Sequence, residues 1–335
     1  MIIFIHSGPA HYLKWTLKAA RVTNPEKRIV FLGDPSNRCF AGSDVQFVDF
    51  ETLAGGEKER EFQKVFQIIQ GERHRFHKHG GMEAWLKFVF RRWFLIEEFL
   101  LREKLDSFWT FDSDTLVLAP LGPRESRFSD VAATTQCRGE CLNGWVGSAD
   151  LVAGYTSCIL DLFRDKKYLD FQRERLCTHA GLAFNEMDAF TECRRRSGFA
   201  VRRASEVMDG EAFDDALAFV EDYESSSQKV LGMTMIKRLW TDGDSIFAKQ
   251  KVSEQFVRML TCNMSWLPDY MWRRIIAATR GGGDESRWTS AEGSFREENL
   301  REISVTEPLG DRILRQSKMA IFKMRSTLRV NNKFR

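Results

Sequence analysis

Short apolar runs and helix-period segments alternate from the start of the chain. Residues 2–5 are uniformly apolar and end in His6-Ser7-Gly8-Pro9; residues 12–20 then place apolar side chains at helical spacing before the turn signal Asn24-Pro25. Residues 28–32 and 45–50 predict a second and a third strand, the former closed by Gly33-Asp34-Pro35-Ser36. Strand, helix, strand, loop, strand is how a doubly wound α/β sheet begins. Residues 57–70 predict a polar helix, 72–81 a charged loop ending in two glycines, and 82–104 a long, mostly apolar helix that feeds a strand at 107–111. Further on, 131–135 and 145–152 predict strands, 157–164 and 182–195 helices, 229–236 and 246–252 late strands, and 265–278 a helix. Gly281-Gly282-Gly283-Asp284 is the clearest linker signal. It divides the chain into a catalytic domain, 1–280, and a basic, mainly helical extension, 281–335.

Composition narrows the class. The 335 residues are 43% hydrophobic, enough for a sizeable core, and their net charge is only +3, which gives no general reason to invoke nucleic acid. The apolar N-terminal run is too short for a secretory signal and reads as a buried strand, and no stretch is long and apolar enough to span a bilayer. The seven cysteines are scattered and odd in number, an arrangement that predicts reduced thiols and a cytoplasmic setting. Cys137 and Cys141 are four apart, but no second pair follows at ligand spacing, so zinc is set aside.

The strongest local signal is Phe108-Trp109-Thr110-Phe111-Asp112-Ser113-Asp114-Thr115-Leu116-Val117-Leu118. Two carboxylates one residue apart follow an apolar strand, and ligands of open α/β sheets bind beyond the carboxyl ends of strands. That spacing suits a hard cation, Mn²⁺ or Mg²⁺, bridging Asp112 and Asp114 to phosphate oxygens. An ordinary solvated turn is the alternative, since Asp and Ser are common turn formers. On the preceding helix Lys87 and Arg91 lie four apart on one face, which suits either a diphosphate or a salt-bridged surface.

With its acidic strand end, the pattern Trp85-x-Lys87-Phe88, Arg92-Trp93-Phe94 and Phe108-Trp109-Thr110-Phe111-Asp112-Ser113-Asp114 resembles bacterial glycosyltransferases of the GT-A fold, family 8-like. Ile3-Phe4-Ile5-His6-Ser7-Gly8 and the segment from Asn24-Pro25 to Gly33-Asp34 are similar to their first two strands. The resemblance covers residues 1–120, and more weakly residues to about 275. It implies a Rossmann-like mixed sheet flanked by helices, a divalent cation on Asp112 and Asp114, and a nucleotide-sugar donor, a UDP-sugar first among them. It places His6, Ser7, Gly8 and Ser113 with Lys87 and Arg91 on the donor side, Asn143, with Gly144, near the sugar, and Glu186 and Asp188 at the acceptor as catalytic carboxylates. Phe213-Asp214-Asp215 resembles a further recurring segment. Related enzymes carry a late histidine as third metal ligand; the matching segment here, Leu260-Thr261-Cys262-Asn263-Met264-Ser265-Trp266, has none, leaving Asn263 or solvent to complete the shell.

The expected reaction is transfer of a sugar to a hydroxyl of a glycan or lipid-linked saccharide. Two alternatives use the same residues: a haloacid-dehalogenase-type phosphatase with Asp112 as nucleophile, and a sugar-nucleotide or glycan binder without turnover. His74, His77 and His79 are interleaved with Arg73, Arg75 and Lys78, as in an exposed basic loop rather than a metal site. Residues 311–335 carry eight Lys or Arg and one acid, with Leu314, Ile321, Met324 and Leu328 near one helical face. That suits peripheral contact with an anionic membrane surface, the inner face of the membrane, or simply packing on the domain.

Overall fold

The computed structural model describes residues 1–74, 82–232, 234–279 and 297–312. Most of the predicted extension, including 313–335, and the histidines at 77 and 79 lie outside the described residues. The chain forms two compact units, one from Met1–Ala216 with Met259–Met264, the other from Leu217–Arg258 and residues after Met264.

The first unit holds β1 (Ile2–His6), α1 (Leu13–Thr23), β2 (Ile29–Gly33), β3 (Gln46–Asp49), α2 (Glu57–Val65), α3 (Met82–Glu103), β4 (Phe108–Asp112) and β5 (Thr115–Val117). It continues through β6 (Ala133–Gln136), β7 (Cys141–Val146), α4 (Ala149–Arg164), α5 (Lys166–Thr178), α6 (Glu186–Ser197), β8 (Val201–Arg203) and β9 (Glu211–Ala212). Seven strands form a sheet in the order β3-β2-β1-β4-β7-β6-β8. The first four are parallel, β7 is antiparallel to both β4 and β6, and β8 is parallel to β6. This is the expected mixed α/β sheet flanked by helices.

Both faces of the sheet are covered, so its central strands are apolar throughout rather than alternating with polar residues. Ile3, Ile5, Val30 and Leu32 pack with α3, α4 and α6 through Phe90, Trp93, Phe94, Ile159 and Phe190. Ile2, Phe4, Ile29 and Phe31 point to the other face, against Leu13, Leu17 and Ala20 of α1 and the aromatic group Trp109, Phe111, Phe128 and Phe213. The register brings the C-terminal ends of β1, β2 and β4 to one edge, and Gln136 and Cys141 pair at that same edge.

The second unit contains β10 (Leu239–Thr241), β11 (Ile246–Lys249), β12 (Phe256–Met259) and β14 (Arg301–Glu302) in the order β14-β10-β11-β12, with α7 (Asp269–Ala278). The intervening β13 (Thr261–Asn263) belongs to the first unit, where it pairs antiparallel with β5.

Several expectations change. The helix predicted at 57–70 stops at Val65, because Phe66 turns out (ψ 131°) to pack on Phe62, Phe90 and Phe163, and Gln70 bridges to Ala183. The strand predicted at 145–152 ends at Val146: Ser148 accepts from the Asp150 amide and caps α4, which contains the helix predicted at 157–164. Helix α5 was not foreseen; only Leu169, Gln172 and Leu176 are buried along it, a sparse stripe in a polar sequence. Asn185 caps α6 in a reciprocal box with Asp188, so that helix begins four residues later than expected. The strand expected at 229–236 is reduced to isolated bridges, that at 246–252 ends at Lys249, and the last helix starts after Pro268 rather than at 265. The thiols are not all free: Cys158 on α4 and Cys193 on α6 form a disulfide. Among the described residues no helix is long and apolar enough to cross a membrane.

Candidate functional site

Asp112 closes β4 at the edge where the parallel strands end. Its Oδ1 accepts from Nη1 of Arg92 at 2.7 Å, and Nη2 of the same guanidinium donates to Oε1 of Glu186 at 2.8 Å. Arg92 comes from α3 and Glu186 opens α6, so helix packing, not sequence proximity, assembles this acid–base–acid bridge. Arg92 is 13% exposed and the Glu186 side chain 10%. Burial works against charge on Arg92, but Asp112 and Glu186 outweigh it and raise the guanidinium's pKa. Glu186 moves the other way: burial, only partly offset by Arg92 and reinforced by Asp112, raises its pKa from 4.5 to about 7. One arginine thus faces two carboxylates, and the deeper one is held at the edge of protonation at neutral pH.

The next two residues are fixed from the opposite side. Ser113 is 8% exposed. Its Oγ shares a hydrogen bond with His6 Nδ1 at 2.8 Å and lies 3.3 Å from the Tyr12 hydroxyl, and its carbonyl accepts from Thr16 Oγ1 at 2.8 Å. The Asp114 carbonyl accepts from the Met264 amide at 2.8 Å, where β13 pairs with β5. Burial, then the Asp114 charge, raises the Tyr12 pKa, keeping that hydroxyl protonated. At the neighbouring strand end the Gly8 amide donates to Asp34 Oδ2 at 2.6 Å and its carbonyl accepts from Asn37 Nδ2 at 2.7 Å. Gly8 has φ +86°, a conformation that favours glycine, and Ser7 beside it is half-buried.

Other residues singled out from the sequence have partners elsewhere. Arg91 makes a fork of bonds to Glu51 at 2.7 and 2.9 Å and a third to Glu59 at 2.8 Å, while Lys87 Nζ lies 5.9 Å from the Phe66 ring centroid. The guanidinium that meets Asp112 belongs to Arg92, one residue further on, within the Arg92-Trp93-Phe94 motif but off the four-residue spacing of Lys87 and Arg91. Asp188 completes the α6 cap and pairs with Arg175 at 2.9 Å. Asn143-Gly144 lies inside β7, and the buried Asn143 Nδ2 has no hydrogen-bond partner among the described residues. Asp214, fully buried, accepts from the Asn263 amide at 2.8 Å, and Asp215 Oδ2 accepts from the Arg138 amide at 3.0 Å. A hydrogen bond to Cys137, together with burial, pushes the Cys141 thiol up, away from the thiolate that zinc requires.

Among the described residues no three His, Cys, Asp or Glu side chains converge as a metal-ligand set. Asp112 keeps one oxygen for Arg92, and Oδ2 has no hydrogen-bond partner among the described residues. Two carboxylates on alternate residues, without further protein ligands, do not make a closed structural site. A hard cation would suit such a pair only where water or a bound ligand completed its shell.

No protein-family model matches the chain, and no curated protein matches it in sequence. Solved structures similar to it include a galactosyltransferase, LgtC, in complex with donor and acceptor sugar analogs (14% identity, 61% of this chain, 73% of that one, TM-score 0.35). The PaToxG glycosyltransferase matches at 14% identity over 58% of this chain and 67% of its own, TM-score 0.35. Mouse xyloside xylosyltransferase 1 matches at 10% identity, 60% and 83%, TM-score 0.36.

Proposed function

We propose that this chain is a metal-dependent glycosyltransferase that moves a sugar from a nucleotide-sugar donor to a hydroxyl of a saccharide or lipid-linked acceptor. One observation carries the reading: the bridge Asp112–Arg92–Glu186 at the sheet edge where the parallel strands end, with the second carboxylate, Asp114, two residues from the first. Asp112 and Asp114 would hold Mn²⁺ or Mg²⁺, which when bound neutralises charge on the departing diphosphate. The chain's own groups do the rest. Arg92 fixes one Asp112 oxygen, so that the rest of the carboxylate would be available to the ion, and the loop at Gly8, pinned by Asp34 and Asn37, would border the donor. Glu186, near half-protonation at neutral pH, is the acceptor-side carboxylate able to give or take a proton, whereas Asp188 is committed to the helix cap and Arg175. The phosphatase alternative asks Asp112 to be a nucleophile, and release of phosphate from a generic ester is what tells it apart.

The test is thermal stabilisation by nucleoside diphosphates and nucleotide sugars, with and without Mn²⁺, on the wild type and on Asp112→Ala/Asp114→Ala. At a hundredfold excess over Kd a ligand adds about 2.7 kcal/mol. A metal-dependent rise in Tm that the double variant lacks is expected. Equal responses from both proteins, or phosphate release from a generic ester in place of sugar transfer, would refute the assignment.

A further inference from the structure

Helix α1 is sewn to the segment that follows the acidic strand end by polar side chains on its buried face. Thr16 is fully buried, yet its hydroxyl does not turn back to its own helix; it donates to the Ser113 carbonyl, 97 residues away, at 2.8 Å. Two turns later Thr23 Oγ1 lies 2.9 Å from the Ala19 carbonyl of its own helix and 3.2 Å from the Val117 carbonyl, and Asn24 donates to the Ala119 carbonyl at 3.2 Å while accepting from the Leu121 amide at 2.7 Å. Residues 16 and 23 differ by seven, two turns of helix, so they share one face. The first anchor of this seam is the peptide between the two acids, and the Ser113 hydroxyl is engaged as well, by His6 Nδ1 and near the Tyr12 hydroxyl. Ser113 is thus held inward at both its backbone and its side chain.

Resting on the donor-site reading above, we propose that Thr16 is a positioning residue for the cation site: by pinning the Ser113 carbonyl it fixes the direction in which Asp112 and Asp114 present their carboxylates. It touches neither ion nor donor. Partners of this kind commonly change metal affinity by about 10- to 100-fold when removed. Thr16→Val keeps the shape of the side chain and removes only the hydroxyl.

Mn²⁺ is titrated into the full chain in the presence of UDP, with free Mn²⁺ followed by electron paramagnetic resonance and Tm recorded alongside. Thr16→Val is expected to raise the Mn²⁺ midpoint about tenfold, and Thr16→Ser to restore it. Thr23→Val, which removes a buried hydroxyl shared between its own helix and the Val117 carbonyl, lowers Tm without moving that midpoint. An unchanged midpoint in Thr16→Val, or an equal shift in Thr23→Val, overturns the proposal. Should Thr16→Val not fold, Thr16→Ala, which also removes the hydroxyl, decides: a raised midpoint supports the pinned carbonyl and an unchanged one overturns it. A wild type that binds no Mn²⁺ with UDP rejects the donor site itself, and the positioning role with it, a result distinct from a wild type and variant that bind equally.

Discussion

Replacing Glu186 by glutamine tests the ion bridge through its dependence on pH. Glu186 is buried beside Arg92 and within the field of Asp112 and Asp188, with the Tyr155 hydroxyl donating to its backbone carbonyl. Its pKa rises from 4.5 to about 7 on folding. The folded state therefore binds more protons than the unfolded state between these values, and stability falls as pH rises through that window. At 1.36 kcal/mol per unit, full ionisation costs about 3 kcal/mol. Glutamine keeps the shape and an acceptor for Arg92 but cannot ionise, so this slope disappears. At acid pH it stands in for the protonated acid, and Arg92 still donates to a neutral oxygen, so the two proteins should have similar stability there. The curves should lie close together near pH 4.5 and separate toward pH 8, with the variant the more stable. The carboxylates with depressed values, Glu59, Glu125 and Glu192 (to about 2), act in the opposite sense and chiefly below 4.5, outside the window. Thermal unfolding of both proteins at half-unit steps from pH 4.5 to 8 reads the difference, at about 2–4 °C per kcal/mol for a chain of this size or somewhat smaller. Parallel Tm curves across that range would mean that Glu186 does not carry a raised pKa, and the reasoning would fail.

Arg92→Met leaves the buried Glu186 and the partly exposed Asp112 without their cation; a loss of up to about 3–5 kcal/mol is expected, measured by urea unfolding. Arg92→Lys should recover only part of it, because one ammonium cannot reproduce the forked contact with Asp112 and Glu186; full recovery would argue against the fork. Gly144→Ala adds a Cβ that would meet Thr134 Oγ1 at 2.3 Å, on a backbone at φ +94°. Thr134 Oγ1 already donates to the Asn143 carbonyl and accepts from the Trp145 amide, so it has little room to move. A cost of about 1–3 kcal/mol is expected, and unchanged urea stability would show that β7 can shift to absorb it.

The local pattern was enough for the first strands, α1, the long α3 and the acidic end of β4, because a parallel sheet covered on both faces writes continuous apolar runs into the sequence. It also marks Asp112 and Asp114 as candidates, because their spacing is a local property. Where signals compete at short range the pattern misled: Ser148 as a helix cap cut short a strand, and α5 buries too few side chains to stand out. What only the tertiary structure decided is which groups meet. Arg92 reaches Asp112 across 20 residues and Glu186 across 94, Thr16 reaches Ser113 across 97, and Cys158 joins Cys193 across 35. None of these partners lies at a sequence spacing that marks it. Each is selected by how α1, α3, α4 and α6 pack, and a buried charge or hydroxyl must find whatever partner that packing provides.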